Sequence, residues 1–149
     1  MPVVNHLGLT VMDIEESIKF YRDVVGMELQ MKRDPRVMGE WYDTLTENPG
    51  QATTISAHLK LGDFTLQLIE YTESRGDAAK LGHNVTGSPH LCVGIEGDFA
   101  GVDARHAELE AAGFHVSPVV QPEGLGFRSF YVFDPDGLPV ELMCRPPRS

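Results

Sequence analysis

Apolar and polar residues alternate with a period of two in several short stretches of this chain. Between them the apolar spacing lengthens to that of a helix. Over residues 3 to 11, Leu7, Leu9 and Val11 alternate with His6, Gly8 and Thr10, which puts the two sets on opposite faces of a strand. Asp13 offers a helix N-cap, and Glu16 three residues on completes a capping-box pattern. Ile14, Ile18, Tyr21 and Val25 then recur at helical spacing, and Gly26 suits the left-handed position past the last turn. Residues 28 to 32 read as a short strand. Residues 33 to 52, rich in Pro, Gly, Asp, Asn and Glu, read as a long loop. Trp41 and Tyr42 within it either close over a pocket as a flap or tack the loop to the core.

Residues 53 to 61 alternate again, with Ile55, Ala57, Leu59 and Leu61 on one face and Thr54, Ser56, His58 and Lys60 on the other. A Gly62-Asp63 turn returns the chain through Phe64, Leu66 and Leu68, with Thr65, Gln67 and Ile69 opposite, which is a hairpin pattern. Residues 72 to 88 are polar and glycine-containing, a linker with one helical turn expected near residues 78 to 81. The pattern then restarts. Leu91, Val93 and Ile95 repeat Leu7, Leu9 and Val11, and His90 stands where His6 stood. A helix runs from Gly97-Asp98 to about Ala112, with Val102, His106 and Leu109 in its stripe, and Gly113 ends it as Gly26 ended the first. Strands follow over 114 to 120 and 129 to 133, and an Asp136-Gly137 turn delivers Leu138, Val140 and Leu142 on one face and Glu141 on the other. The chain is thus expected to be α+β: two βαβββ modules forming a curved mixed-sheet cup with the helices on its outer face. One domain spans 1 to 149, with a module over about 1–71, a linker over 72–88 and a second module over 89–146.

The repeat gives four polar residues a shared meaning. In each half the first strand turns a histidine away from its aliphatic set, and the last strand does the same with Gln67 or Glu141. If the helices cover the aliphatic faces, His6, Gln67, His90 and Glu141 point to the concave side and can close on one divalent metal. Imidazole, carboxylate and amide oxygen suit Zn, Fe, Mn, Co or Ni. Glu70 is a richer ligand type but shares its face with Leu66 and Leu68, so it should point to the helix side or lie at a frayed end. His58 has the parity of the ligands; it is either an acid–base group in the cleft or a half-exposed strand histidine. Arg128 either holds an anionic substrate or is a solvated strand-start arginine, and Cys92 either lines the pocket or packs as a small apolar residue. His83, His106 and His115 read as surface or packing residues.

Composition narrows the setting. The 149 residues suffice for a core without disulfides, and the formal charge of −10 argues against a phosphate backbone as partner. No apolar run approaches the ~20 residues of a membrane span. Met1-Pro2-Val3-Val4 carries no basic signal-peptide region, and Cys92 and Cys144 read as reduced thiols, so a cytoplasmic protein is expected.

Three stretches carry a family resemblance: His6 to Val11, Ser17 to Met27, and Asp134-Pro135-Asp136-Gly137-Leu138-Pro139-Val140-Glu141-Leu142. The chain resembles the vicinal oxygen chelate superfamily, which includes glyoxalase I, methylmalonyl-CoA epimerase, extradiol dioxygenases and bleomycin- or fosfomycin-resistance proteins. The resemblance implies a cup around one metal, with His6, Gln67, His90 and Glu141 as its ligands, a set similar to that of methylmalonyl-CoA epimerase. It also implies a homodimer. One departure stands out: the second carboxylate base expected of the epimerase has no counterpart on residues 53 to 61, where only Thr54, Ser56, His58 and Lys60 face the cleft. The expected activity is that of a metal-dependent lyase or isomerase stabilising the enolate of a small carbonyl compound, thioester or thiol conjugate. Glu141 is the first candidate base and His58 the second, with Trp41, Tyr42 and Arg128 lining the substrate pocket. A ring-cleaving dioxygenase and a metal-free small-molecule binding protein are the alternatives.

Overall fold

The computed structural model describes residues 1–78 and 80–146. The chain forms two compact units, Met1–Ala79 and Lys80–Ser149, each with its own mixed sheet. The fold is α+β, and the units repeat one plan.

In the first unit, strand β1 (Leu7–Thr10) leads into helix α1 (Ile14–Asp23), then strands β2 (Glu28–Val37), β3 (Thr53–Leu61) and β4 (Phe64–Glu73), with a short helix α2 (Glu40–Thr46) between β2 and β3. The sheet order is β1-β4-β3-β2. The first strand therefore lies parallel beside the last, and the rest of the ladder is antiparallel. Helix α1 starts where Asp13 accepts from the amides of Glu15 (2.9 Å) and Glu16 (3.1 Å), and it ends into Gly26 at φ +85°, a conformation costly for a residue with a Cβ. Its buried stripe (Ile14, Ile18, Tyr21, then Val25) covers Ala57, Leu59, Leu66 and Leu68 of β3 and β4. Leu7, on the outermost strand, remains 38% exposed.

The second unit runs β5 (Leu91–Gly94), α3 (Phe99–Ala111), β6 (Arg128–Phe133) and β7 (Pro139–Cys144), in the order β5-β7-β6. Again the first strand is parallel to the last. Val102 and Leu109 of α3 are buried with Phe130, Val132, Val140 and Leu142. The turn into β7 is closed by Asp134, whose Oδ1 accepts from the amides of Asp136 (3.0 Å) and Leu138 (2.7 Å), while Gly137 takes φ +85°.

Three expectations need correction. The stretch 33–52 is not one long loop: β2 continues to Val37, and Glu40–Thr46 is helical. An outermost strand tolerates Pro35 because its outward side has no ladder bonds to donate. Residues 114–120 form no strand and join the β6 ladder only as isolated bridges, Val116 to Val132 and Val120 to Ser129. Pro118 between them has no N–H to continue a ladder. The helical turn expected near 78–81 falls partly on Ala79, outside the described residues; the described residues beside it are not helical.

Candidate metal centre

Because the first strand of each unit neighbours the last, each unit brings one histidine and one oxygen donor onto the same sheet face. In the first unit Gly8 pairs with Gln67, and Gln67 pairs with His58, so all three share a face. His6 precedes β1 by one residue and has the parity of Gly8. Its ring stacks with that of His58 at 6.3 Å between centroids. The Gln67 amide lies against Gly8: its Oε1 sits 3.8 Å, an ordinary contact distance, from where a Cβ on Gly8 would be. His6 Nδ1 lies 2.7 Å from Asn5 Oδ1, an oxygen that can only accept. When the ring is neutral, donation to that oxygen puts its proton on Nδ1 and leaves the Nε2 lone pair available. A histidine whose second nitrogen donates to an oxygen is what a metal ligand requires.

Glu70 takes the other face. Its Oε2 accepts from the Ile14 amide at 2.9 Å and its Oε1 from Arg75 Nη2 at 3.2 Å, so its carboxylate caps α1 on the helix side. Parity separated Gln67 from Glu70 correctly.

In the second unit Cys92 and Tyr131 are the two cross-strand partners of Glu141. Tyr131 donates its hydroxyl to Glu141 Oε2 at 3.3 Å. His90, two residues before Cys92, packs edge-on to the Tyr131 ring at 6.0 Å. Burial pushes the Cys92 thiol up to about 11, with the Glu141 charge adding to it. The Tyr131 phenol is raised for the same two reasons, in the same order. Within either unit, no three His, Cys, Asp or Glu side chains among the described residues gather as a complete centre.

The Glyoxalase/Bleomycin resistance protein/Dioxygenase superfamily matches this sequence over residues 3–142. The chain belongs to that superfamily. It is 29% identical to a 2-epi-5-epi-valiolone epimerase from Actinomyces sp, a match covering 96% of this chain and 79% of the relative. It is 27% identical to a probable lactoylglutathione lyase from Vibrio parahaemolyticus, over 93% of this chain and 87% of the relative. The fold matches a glyoxalase family protein from Bacillus cereus at a TM-score of 0.79, with 19% identity, covering 97% of this chain and 94% of that one. It also matches the fosfomycin resistance protein FosX from Listeria monocytogenes, complexed with Mn(II) and sulfate, at 0.64 with 17% identity, covering 97% and 93%.

Other residues expected to act in this superfamily member divide cleanly. His58 lies on the Gln67 face, and its pKa is lowered by burial first and by the His6 and Arg33 charges after it. Tyr42 donates to or accepts from the Tyr71 hydroxyl at 2.9 Å, and Tyr71 is on the Gln67 face, so α2 is tied to that side of the sheet. It is therefore Tyr42, and not Trp41, that anchors the segment; Trp41 is 59% exposed and packs edge-on to Tyr42 at 5.4 Å. Arg128 is turned away from Glu141: it pairs with buried Cys144 across the ladder and donates to Asp103 Oδ1 (2.7 Å) and Gln121 Oε1 (3.0 Å). A substrate role for Arg128 does not fit those bonds. His106 bonds the Ser117 carbonyl at 3.0 Å and His115 stacks on Phe133 at 4.5 Å, both packing roles.

Two residues were missed. Tyr131 could have been found by parity, since Phe130 and Val132 are the core positions beside it. His83 could not. It packs edge-on to Tyr131 at 4.2 Å and lies 5.6 Å from the His90 ring, yet it comes from a polar segment without periodicity.

Proposed function

We propose that the chain is a divalent-metal-dependent lyase or isomerase of the glyoxalase and epimerase type, with His6, Gln67, His90 and Glu141 holding the metal. The observation that carries this is the repeated half-site: in each unit a histidine stands one residue before the first strand, and the last strand, parallel beside it, carries an oxygen donor of matching parity. The donors fit a borderline divalent ion, since imidazole and oxygen ligands suit Zn, Mn, Fe, Co or Ni. Such an ion supplies Lewis-acid stabilisation of the negative oxygen that develops when the carbon beside a carbonyl loses its proton.

The remaining work falls to the protein's own groups. His58 is held below its ordinary pKa, so its imidazole is neutral at pH 7 and able to accept a proton. Glu141 is the other base, its Oε2 oriented by the Tyr131 hydroxyl. Helix α2, with Trp41 on its exposed side, covers part of the same sheet face and can exclude water there. A small carbonyl compound, thioester or thiol conjugate is the substrate class.

The test combines elemental analysis with hydrogen exchange. Protein loaded with Mn(II) should retain about one ion per chain, and His90→Ala and Glu141→Ala should lose it. The loaded wild type should exchange the proton beside a substrate carbonyl with D2O. Full retention by both variants sinks the ligand assignment. Oxygen uptake with a catechol, in place of exchange, would make the protein a dioxygenase instead.

A further inference from the structure

We propose that Arg33, with Arg36 further along β2, forms an anion subsite on the Gln67 face, so that the substrate is a carbonyl compound bearing a carboxylate or phosphate. This rests on reading that face as the catalytic one. The register places the arginines. Met31 pairs with His58 and Arg33 with Ser56, and across β4 His58 pairs with Gln67 and Ser56 with Ile69. Arg36, after a bulge, pairs with Thr54, whose other partner is Tyr71. One face of the sheet thus carries, in order across its strands, Gly8, Gln67, His58 and Met31, with Arg33 one step along beside Ser56.

The neighbouring lysine shows why Arg33 is different. Lys32 pairs with buried Ala57, points to the helix side, and is neutralised there by an ion pair with Glu15. Arg33, one residue on and on the opposite face, makes no ion pair among the described residues, and Arg36 reaches only the sulfur of Met38 at 3.5 Å. In a chain with 22 acidic and 12 basic side chains, two guanidinium groups without a carboxylate on one functional face are unexpected as a stability device. They suit an anionic ligand, since a guanidinium fork binds carboxylate or phosphate through two parallel hydrogen bonds.

Spacing sets the substrate's shape. Two inter-strand spacings separate Arg33 from Gln67, with β3 between them, and they are offset by two residues along the strands, roughly 12 Å between backbones from the ordinary sheet spacings. The long arginine side chain spans much of that gap. The anionic group therefore sits a few carbon atoms from the carbonyl and not on the adjoining atom.

The test is calorimetric titration with malonate and, separately, with inorganic phosphate, on metal-free and on Mn(II)-loaded protein. Wild type should bind one of them saturably in both forms, and whichever binds names the anion. Arg33→Ala should weaken that binding at least tenfold, Arg33→Lys less, and the double Arg33→Ala, Arg36→Ala variant should abolish it. Lys32→Ala, on the helix side, should bind as wild type does. Arg33 is exposed on an outermost strand, so its variants should melt as wild type does, and His58 ring resonances should move on titration only where the anion binds. No saturable binding by wild type, or equal binding by the double variant, overturns the subsite. Arg33-dependent binding in a protein that holds no metal leaves the subsite standing and removes the metal-dependent reading.

Discussion

Replacing Glu70 and Gln67 in parallel tests the assignment of the two sheet faces, because only three residues separate them and their expected failures are opposite. Glu70 is 17% exposed and its carboxylate accepts from the Ile14 amide, the first helical N–H of α1, at a residue itself only 2% exposed. That amide has no intrahelical partner and no ready access to water. Glu70→Ala removes a hydrogen bond to a charged acceptor, a contribution of about 1.5–3 kcal/mol, and leaves the donor buried without a partner. The Arg75 bond at 3.2 Å is half-exposed and adds at most about 1 kcal/mol. A loss of about 2 kcal/mol lowers the melting temperature by roughly 4–8 °C for a chain of this size. Glu70→Gln keeps an oxygen for Ile14 and loses only the charge facing the helix N-terminus, about 1 kcal/mol or roughly 2–4 °C. Neither change should alter Mn(II) affinity measured by electron paramagnetic resonance. Gln67→Ala should do the reverse, weakening Mn(II) binding while leaving the melt within about 0.5 kcal/mol, as exposed-face substitutions usually do. If Glu70→Ala melts like wild type, or loses the metal as Gln67→Ala does, the face assignment is wrong.

Other expectations follow from the second unit and from α2. Tyr131→Phe removes the hydroxyl that orients Glu141, and since that bond is long at 3.3 Å, Mn(II) affinity should fall toward the lower end of the usual 10–100-fold range for such partners; unchanged affinity would show that Tyr131 positions nothing. Metal-free protein should react slowly with iodoacetamide at pH 8, because a Cys92 thiol raised to about 11 is almost wholly protonated there. Glu141→Gln should speed that reaction by removing the negative charge that opposes the thiolate, and modification of the wild type at the rate of free cysteine would contradict the contact. Tyr42→Phe deletes the bond to Tyr71 and should loosen α2 by about 1 kcal/mol, read as faster amide exchange in residues 38 to 52 with the rest of the first unit unaffected. Trp41→Ala should barely shift the melt but raise KM if the exposed ring closes over substrate; an unchanged KM removes Trp41 from the pocket.

What could be read from the sequence was whatever short-range chemistry decides. The Asp13 cap, the Gly26 and Gly137 turns and the alternation that sends Gln67 and Glu70 to opposite faces are all local, and the observed register preserves each of them. The misread stretches are those where a distant partner decides. Residues 34 to 37 include two charges and a proline, yet Arg36 and Val37 pair with Thr54 and Thr53 past a bulge, because an outermost strand needs ladder bonds on one side only. Helix α2 is seven residues long in a segment rich in helix breakers, too short to persist alone. It is held by Tyr71 and by the Asp43 carboxylate, which accepts from the amides of Gln51 (2.8 Å) and Ala52 (3.1 Å). Nothing periodic announces such tethers. The bonds of Arg128 were hidden for a related reason: its partner Asp103 lies twenty-five positions away on α3.

Duplicated topology explains why a pair of weak donors can recur as a functional pattern. A parallel first-and-last pairing needs a long crossover, which each unit supplies with its helix and intervening strands. That crossover buries one face of the last strand under the helix and leaves its other face free for polar groups, so a histidine just before the first strand and an oxygen donor on the last can share a face without any local sequence link. The two units then diverge where chemistry differs. Beside Gln67, the position across the parallel pair is Gly8, which leaves space; beside Glu141 it is Cys92, a side chain whose thiol feels the carboxylate. A Cβ at position 8 would meet Gln67 Oε1 at an ordinary contact distance of 3.8 Å, so it is the sulfur beyond it that would compete for the amide's space, and Gly8→Cys should cost metal affinity with little change in the melt. Cys92→Gly in the other unit should leave metal binding intact. If the two substitutions behave alike, the units are not using this position in the different ways their sequences imply.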